Sequence, residues 1–481
     1  MPLRNASRFC ALMKSSDRKW EGQHERGPSA THGNATGNRS WRICLPCLQT
    51  GPLGARRSQF EVFCRIQSLQ LRASSACNFK DKQLKFVIES IGLTVAGGKE
   101  LAVDLMTRLA GHIEHRFTFV APDLDSYKAI SGSNTYKIMC KKPSGLLRRS
   151  LLLNRMLPRI CREERADALL CLGNFPPSNP TCPTVVLLHN PWLVYRDPVA
   201  ERRRTIREKL IRVFGTHIYR DLPSRVAVIT QTSVMKDRLC GRYGIDPARV
   251  AVIPNTFSVE RMGESEVPPP SNRNERTRGF IFLCLCRYYA HKNIDIILDA
   301  VKKLSKYTCR RAQCFITITP HQHPGARRLL EELESSEYGS MIQNIGPIPH
   351  QRLPEVYRSA NALIFPTLLE SYSRTYLEAM HFGLPILTSD RDFARHLCQD
   401  AALYFDPLDA DSLAKAMARL MEDQDLSCRL AENGRRVLAQ VPTWDEIASR
   451  FVEVLERVAR GQLEVSGESD SPHASDYARI A

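Results

Sequence analysis

The chain has 481 residues, 43% hydrophobic and 25% charged, which is ordinary for a soluble globular protein with room for two or three domains. The formal net charge of +17 is uneven, because residues 1–82 carry 14 Lys and Arg against five Asp and Glu. The rest of the chain is therefore only mildly basic. Its basic runs are not interleaved with aromatic residues, so we expect no nucleic-acid partner.

The cysteines and the N-terminal region bear on location. Sixteen Cys are scattered without a secreted disulfide framework, so we expect a reducing, cytoplasmic environment. No apolar run reaches the roughly 18 residues that a membrane span requires, and the N-terminus lacks the apolar core of a signal peptide. We expect residues 1–82 to be a disordered extension or a misassigned start, with a transit peptide as the alternative. Cys44 and Cys47 have half the spacing of a zinc site, but no second pair follows.

Strands and helices alternate along the body of the chain. A strand at 85–91 is followed by Gly97-Gly98 and an amphipathic helix at 99–109. The other strands predicted in this half are 117–121, 168–172, 184–189 and 225–230, and 250–255 ends it.

A Pro-rich stretch at 258–278 predicts a linker, after which the alternation restarts. The strands predicted in the second half are 280–286, 314–319, 341–345, 362–365 and 386–388. Residues 461–481 lack periodicity and are expected to form a disordered tail. We therefore predict an α/β protein with two Rossmann-like domains, 83–257 and 279–460, that face each other across a cleft.

The most informative segment runs from Pro366 to Met380 and holds two carboxylates, Glu370 and Glu378, eight positions apart. The preceding apolar strand places Glu370 in a strand-to-helix loop and Glu378 within the helix. Free N–H groups at a helix start bind anions, and ionised Glu accepts hydrogen bonds from sugar hydroxyls, so this layout suits a nucleotide-sugar. The alternative is a charge at a helix N-terminus and a solvated helix Glu, and these residues alone leave both open.

The segment resembles the Glu-x7-Glu motif of retaining GT-B glycosyltransferases, in particular glycosyltransferase family 4, the group 1 transferases. Arg287 and Lys292 resemble the Arg-x4-Lys element of that family, and residues 252–255 resemble its inter-domain turn. Residues 385–390 resemble the strand after the motif helix, and Trp444 precedes a segment similar to the C-terminal crossover helix. These elements match in order and spacing from about residue 85 to 460. Ser373 and Thr375 depart from the Gly and Pro that many relatives carry.

The resemblance implies roles for these residues. Arg287 and Lys292 would neutralise the leaving diphosphate without a metal, Glu378 would bind ribose hydroxyls, and Glu370 would contact the transferred sugar. His189 ends a predicted strand and would lie near the donor sugar, with a purely structural histidine as the alternative. The other predicted donor-binding residues are Gly97, Gly98, Asn293, Ser371, Tyr372, Ser373, Arg374 and Thr375. Retention implies front-face attack in which the leaving phosphate assists deprotonation of the acceptor, so no side-chain nucleophile is expected.

Two Asp-x-Asp sequences, at 123–125 and 409–411, have the form of a metal motif, but we interpret the second as helix capping and expect no metal. Two basic, partly amphipathic stretches, 147–159 and 201–212, suit either an anionic membrane surface or a solvated helix face.

The predicted function is a retaining, metal-independent hexosyltransferase that uses a UDP- or GDP-sugar and acts on a glycan or lipid-linked glycan in surface polysaccharide synthesis. The alternatives are a sugar-nucleotide epimerase of GT-B fold and a non-catalytic GT-B partner domain. An epimerase needs additional acid and base carboxylates, which the first half does not supply as a cluster. A non-catalytic partner would not need Lys292 and Glu378, and a dehydrogenase would need the Gly-x-Gly-x-x-Gly that the first glycine loop lacks.

Overall fold

The computed structural model describes residues 83–94, 96–140, 146–258, 262 and 279–465. The predicted N-terminal extension, most of the predicted linker, Cys44 and Cys47 lie outside these residues. Two parallel β-sheets form the framework of the described chain.

The first sheet has seven strands in the order β3-β2-β1-β4-β5-β6-β7. The strands are β1 (Lys85–Glu89), β2 (Arg116–Pro122), β3 (Thr135–Cys140), β4 (Ala168–Cys171), β5 (Thr184–Leu188), β6 (Val226–Thr230) and β7 (Val250–Val252). Strands β4, β5 and β6 are buried at every position, as expected for parallel strands covered on both faces.

Helices cover both faces of this sheet. They are α1 (Ala96–Leu109), α2 (Asp125–Lys128), α3 (Leu146–Leu151), α4 (Leu157–Glu163), α5 (Pro198–Arg202), α6 (Ile206–Arg220) and α7 (Ser233–Tyr243), with a π-helical segment at Leu152–Met156. Helix α6 begins with a reciprocal capping box, in which the Thr205 hydroxyl accepts from the backbone N–H of Glu208 and the Glu208 carboxylate accepts from that of Thr205.

The second sheet has six strands in the order β10-β9-β8-β11-β12-β13. They are β8 (Phe280–Cys284), β9 (Ala312–Ile316), β10 (Ile342–Asn344), β11 (Ala362–Phe365), β12 (Ile386–Ser389) and β13 (Ala402–Phe405). The helices that follow are α8 (Asp295–Leu304), α9 (Pro324–Ser335), α10 (Leu353–Ser359), α11 (Arg374–His381), α12 (Asp392–Cys398), α13 (Ala410–Glu422), α14 (Gln424–Leu438) and α15 (Trp444–Ala459).

The last helix returns to the first domain. Trp444, Ile447, Phe451 and Val458 of α15 are buried in the hydrophobic core that also holds residues of β1, β2 and α1. The chain then continues to Val465, whose side chain is buried and whose backbone N–H donates to the carbonyl of Ala248 at 2.8 Å. The predicted crossover helix is therefore observed, and residues 462–465 pack on the first domain although the predicted tail begins at 461.

The predicted fold class, two facing Rossmann-like domains with a crossover helix, is confirmed by this topology. Strands β3 and β13 were absent from the prediction. Strand β3 lies at the sheet edge, and most of its residues are partly or fully exposed. Its sequence therefore lacks the continuous apolar run by which the other strands were predicted. No helix within the described ranges combines the length and apolarity that crossing a bilayer requires.

Candidate active site

Both sheets present the same structural feature to the cleft between them. In each sheet, the strand order reverses beside the first strand, at β1 and β4 in one sheet and at β8 and β11 in the other. Ligands of open α/β sheets bind in the crevice at the carboxyl ends of such strands. The loops that follow β1, β8 and β11 carry most of the predicted site residues.

An ion pair joins two of these loops. The Lys292 ammonium, just after β8, contacts the Glu370 carboxylate, after β11, and the Thr367 hydroxyl donates to the same Glu370 oxygen at 3.2 Å. The two charged side chains are 14% and 13% exposed. Burial lowers the pKa of Lys292, but the Glu370 carboxylate and the neighbouring Cys286 raise it more, so the pKa lies above its ordinary value. Lys292 is thus a fixed cation at the cleft.

Glu378 lies in helix α11, and its side chain is buried. The Tyr357 hydroxyl, from α10, donates to Glu378 Oε2 at 2.7 Å. The Tyr357 ring stacks on Phe382 with centroids 5.1 Å apart, and burial raises the pKa of its hydroxyl, which therefore stays a donor. Sequence reasoning missed Tyr357, because no local spacing connects α10 to a carboxylate 21 residues later.

The start of helix α11 is open. Ser373 is its N-cap residue, with extended backbone, and no side chain caps the helix. Ser371 and Ser373 are buried, whereas Tyr372 and Thr375 are half-buried, and burial raises the pKa of the Tyr372 hydroxyl. A helix N-terminus whose first N–H groups have no side-chain acceptor is suited to an anion.

Arg374 connects this loop to the first domain. Its Nη1 lies 3.4 Å from Oδ2 of Asp104, a buried residue of α1. Helix α1 holds Gly97 and Gly98 in its first turn, where the prediction had placed them in a loop before the helix, so the glycine pair and Asp104 belong to one helix. Asp104 was not predicted from the sequence, because its local sequence is that of an ordinary carboxylate in a helix.

His189 follows β5 and lies beside the glycine pair. A Cβ built on Gly98 would be 3.5 Å from Cε1 of His189, whereas one built on Gly97 would meet no atom within 4 Å. His189 Nε2 lies 3.0 Å from the Leu172 carbonyl oxygen and 3.0 Å from the side-chain amide nitrogen of Asn174. Burial lowers the pKa of the ring to about 4, so His189 is neutral at pH 7.

The last two predicted site residues, Arg287 and Asn293, have environments unlike those of the residues described above. Arg287 is exposed, with its guanidinium 6.0 Å from the centroid of the Tyr289 ring. Asn293 is buried and left-handed, with φ of 55°, a conformation that Asn tolerates better than most residues. Its side-chain oxygen accepts from Arg203 at 2.8 Å and its amide donates to the Pro407 carbonyl at 2.8 Å. The Asn293 side chain is therefore engaged by protein groups.

Other contacts also cross the cleft. Arg391 lies 3.5 Å from Asp197, Arg238 Nε donates to Asp392 at 2.8 Å, and the rings of Trp192 and His291 meet edge to face at 5.2 Å. The two sheets are therefore held together on several sides of the candidate site.

The predicted capping role of the second Asp-x-Asp sequence is observed, since the Asp409 carboxylate accepts from the backbone N–H of Asp411 at 2.9 Å. Asp123 of the first forms an ion pair with Lys128 at 2.8 Å. Within the ranges that the structure describes, three or more His, Cys, Asp or Glu side chains are nowhere gathered at metal-binding distances.

Comparison with known proteins identifies the family. The family model for Glycosyl transferases group 1 matches residues 270–437, and that for Glycosyltransferase Family 4 matches residues 95–261. The MMP alpha-(1->4)-mannosyltransferase of Mycolicibacterium hassiacum is 24% identical over 57% of this chain and 65% of that protein. The mannosylfructose-phosphate synthase of Agrobacterium fabrum is 24% identical over 50% of this chain and 55% of that protein. The match thus spans less than two thirds of the length of these relatives.

Solved structures support the same fold. The sucrose-phosphate synthase of Thermosynechococcus elongatus aligns with a TM-score of 0.62 at 17% identity, over 79% of this chain and 100% of that one. Anabaena HepE in complex with UDP-glucose aligns with a TM-score of 0.59 at 14% identity, over 78% of this chain and 99% of that one. The two parallel sheets, the crossover helix and the two family matches together show that this chain belongs to the family of group 1, family 4 glycosyltransferases and has the GT-B fold.

Proposed function

We propose that the protein is a retaining, metal-independent transferase that moves a hexose from a UDP- or GDP-sugar to a glycan or lipid-linked glycan. The observation that carries this proposal is the ion pair of Lys292 with Glu370 beside the uncapped start of helix α11. A fixed cation and free helix N–H groups stand together where a diphosphate would develop charge. The relatives named as mannosyltransferase or as a complex with UDP-glucose support a nucleotide-sugar donor.

In this proposal each carboxylate contacts a different part of the donor. Glu378, oriented by Tyr357, accepts hydrogen bonds from the ribose hydroxyls. Glu370 accepts hydrogen bonds from the transferred sugar. One Glu370 oxygen already contacts the Lys292 ammonium and accepts a hydrogen bond from the Thr367 hydroxyl. This supports a role in positioning the sugar and not a role as covalent nucleophile. Neutral His189 and open Gly97 would border the sugar from the first domain.

The chemical step that we propose proceeds on one face of the sugar. The bond from the anomeric carbon to the diphosphate oxygen breaks as the acceptor hydroxyl approaches the same face, and its proton passes to the leaving phosphate. Lys292, with Arg287 after movement of its exposed side chain, would stabilise the negative charge in place of a metal.

Thermal unfolding of the full chain with UDP, GDP and their sugar conjugates, each with and without EDTA, tests the donor site. One nucleotide should raise the melting temperature, by about 2.7 kcal/mol of stability at a hundredfold excess over Kd, and EDTA should not alter the rise. Glu378→Gln should abolish the rise. Glu334→Gln, which changes an exposed carboxylate of α9, should retain it. Loss of the rise in EDTA would overturn metal independence, and no rise with any nucleotide would favour a non-catalytic partner domain.

The reaction product distinguishes a retaining transferase from an inverting transferase and from an epimerase. Once the donor is known, NMR of the product should show the anomeric configuration of the donor sugar together with release of nucleoside diphosphate. An inverted anomer would contradict retention. Conversion of the nucleotide-sugar into an isomer without release of nucleoside diphosphate would instead identify an epimerase.

We also propose peripheral contact with the cytoplasmic membrane surface through α6, α3 and the π-helical segment Leu152–Met156 that follows α3. Four apolar side chains of α6 are exposed, including Ile206 (78%) and Val213 (69%). Lys209 of α6 and Arg155 of the π-helical segment are exposed and carry positive charge. An amphipathic helix of this kind binds anionic lipid, with about 1 kcal/mol for each basic residue near the surface.

Flotation with vesicles that contain phosphatidylglycerol tests this contact. Binding should fall with added salt and should weaken in the double variant Arg155→Glu, Lys209→Glu. Arg310→Glu, which reverses an exposed charge of the second domain, serves as the control and should bind as the unmodified chain does. Binding that is absent, or equally weakened by the control, would remove the membrane contact.

A further inference from the structure

Two thiols meet at the end of β8, in the segment that leads to Lys292. Cys284 is the last residue of β8 and Cys286 follows it by two positions, a spacing that puts both side chains on one side of an extended chain. Their sulfurs lie 3.9 Å apart. Cys284 is buried, whereas Cys286 is partly exposed. The pair therefore consists of one thiol that a small reagent can reach and one that is shielded behind it.

The positions of the two cysteines allow a disulfide. Residues two apart have Cα atoms separated by at most about 7 Å, which is near the upper end of the range found in disulfides. The sulfurs have to approach each other by about 2 Å to form the bond. The Thr317 hydroxyl accepts from the backbone N–H of Cys286 at 3.1 Å and donates to its carbonyl at 3.2 Å. Because the Cys286 backbone is held in this way, side-chain rotation provides the approach.

The charge of the candidate active site favours the reactive form of Cys286. Reactive cysteines are partly exposed and lie in electropositive surroundings, because the thiolate is the nucleophile. The pKa of the Cys286 thiol lies below its ordinary value, since the hydrogen bond from Cys284 and the charge of Lys292 lower it more than burial raises it. The hydrogen bond with Cys286 and burial raise the pKa of Cys284. Cys286 is therefore the sulfur that reacts first, and Cys284 is its partner.

We infer that Cys286 is an oxidation site for hydrogen peroxide, and that its closure to a disulfide with Cys284 weakens donor binding. The Cys286 sulfur takes one oxygen from the peroxide and becomes a sulfenic acid, and the first water leaves. The Cys284 sulfur then attacks the sulfenic sulfur, the S–O bond breaks, and the hydroxide leaves with the Cys284 proton as the second water. In total the two thiols lose two electrons and two protons, and the peroxide is reduced to two waters.

The effect on donor binding rests on the proposed function and concerns the regulation of that site. Residues 287–292 lead directly from Cys286 to Lys292, so the oxidised sulfur and the cation of the donor site belong to one short segment. Closure of the disulfide withdraws the Cys286 sulfur from the cation. Because a displacement of about 1 Å in a positioning group can cost about a hundredfold, nucleotide affinity should fall about tenfold or more on oxidation and return on reduction.

Peptide mapping of the full chain after treatment with hydrogen peroxide tests the disulfide. Trypsin cleaves after Arg278 and Arg287, and the peptide 279–287 holds Cys284 and Cys286 as its only cysteines. With free thiols blocked by iodoacetamide before digestion, this peptide should carry no block and should be lighter by two hydrogen atoms than the unblocked reduced peptide. Dithiothreitol should make both cysteines available to the block again. Recovery of the peptide with both cysteines blocked, or joined to another peptide, would overturn the inference.

Two variants separate this pair from the other cysteines. Cys284→Ala removes the second thiol, so it should bind nucleotide normally before oxidation, and after peroxide its Cys286 should be labelled by dimedone, which reacts with sulfenic acids. Cys309→Ala removes an exposed cysteine of the second domain and should form the disulfide as the unmodified chain does. If Cys284→Ala does not fold, Cys284→Ser, which is closer in size, replaces it.

Two further results would overturn the inference: nucleotide affinity that is equal before and after oxidation of the unmodified chain, and a Cys284 variant whose Cys286 is not labelled by dimedone. Failure of the donor site is distinguished from failure of the switch. In the first case the reduced chain is not stabilised by any nucleotide, while the mass of the peptide still reports whether the disulfide forms.

Discussion

The environment of His189 leads to a pH dependence of stability. The pKa of its ring is lowered to about 4 from the ordinary 6.5, because burial and, to a smaller extent, the charge of Arg149 lower it more than the Leu172 carbonyl raises it. Between these two pH values the unfolded chain binds more protons than the folded chain, so the free energy of unfolding falls as pH falls. The contribution is complete above about pH 6.5 and lost near pH 4, and the difference corresponds to about 3 kcal/mol.

Urea unfolding of the full chain and of His189→Gln, from pH 7.5 down to pH 4.5, measures this contribution. Gln keeps an amide donor within reach of the Leu172 carbonyl but does not titrate. Acidification should therefore cost the unmodified chain about 2–3 kcal/mol more than it costs the variant. His291, whose pKa is also lowered by burial, is present in both proteins and cancels in the comparison. Equal losses in the two proteins would refute the assignment of a depressed pKa to His189.

Three further predictions concern the candidate active site. Tyr357→Phe keeps the stacked ring but removes the hydroxyl that donates to Glu378. The free energy of unfolding should fall by about 1.5–3 kcal/mol, and the stabilisation by nucleotide should become smaller. Stabilisation by nucleotide equal to that of the unmodified chain would contradict an orienting role of Tyr357. Asp104→Asn removes the charged partner of Arg374 across the cleft. The free energy of unfolding, measured by chemical denaturation, should fall by about 1–3 kcal/mol, and nucleotide binding should persist. An unchanged free energy of unfolding would show that the pair is dispensable. Lys292→Met removes the cationic partner of the largely buried Glu370 carboxylate and should cost about 3 kcal/mol in unfolding and most of the transfer rate. A variant with normal turnover would remove the lysine from the proposed mechanism.

The sequence predicted the framework of the site better than its supporting contacts. Strand periodicity located β11, and the family motif located Glu370 and Lys292 on loops, and Glu378 in the helix that follows, which the structure brings to one cleft. The partners Tyr357 and Asp104 could not be predicted, because their contacts arise from packing between elements 21 and 270 residues apart. Such long-range pairs leave no periodic pattern in a single sequence.

The engagement of Asn293 was equally inaccessible. Its position directly after Lys292 suggested a ligand contact, yet its side chain joins Arg203 of the first domain to the Pro407 carbonyl of the second. A local motif cannot show which of its polar residues face a ligand and which face protein. The boundaries of strands also shifted by one to three residues, as with β5, which ends at Leu188 and not at His189, and β7, which ends at Val252 and not at Asn255.

The crossover helix has a consequence for biosynthesis. Trp444, Phe451 and Val458 complete the core around β1 and α1, yet the ribosome adds them more than 300 residues after those elements. Domains generally begin to fold during synthesis, from the N-terminus onwards. Here the first domain emerges with an apolar surface of its core uncovered, and it keeps that surface until translation reaches α15. A nascent chain arrested before residue 444 should therefore be the form of this protein most in need of a chaperone.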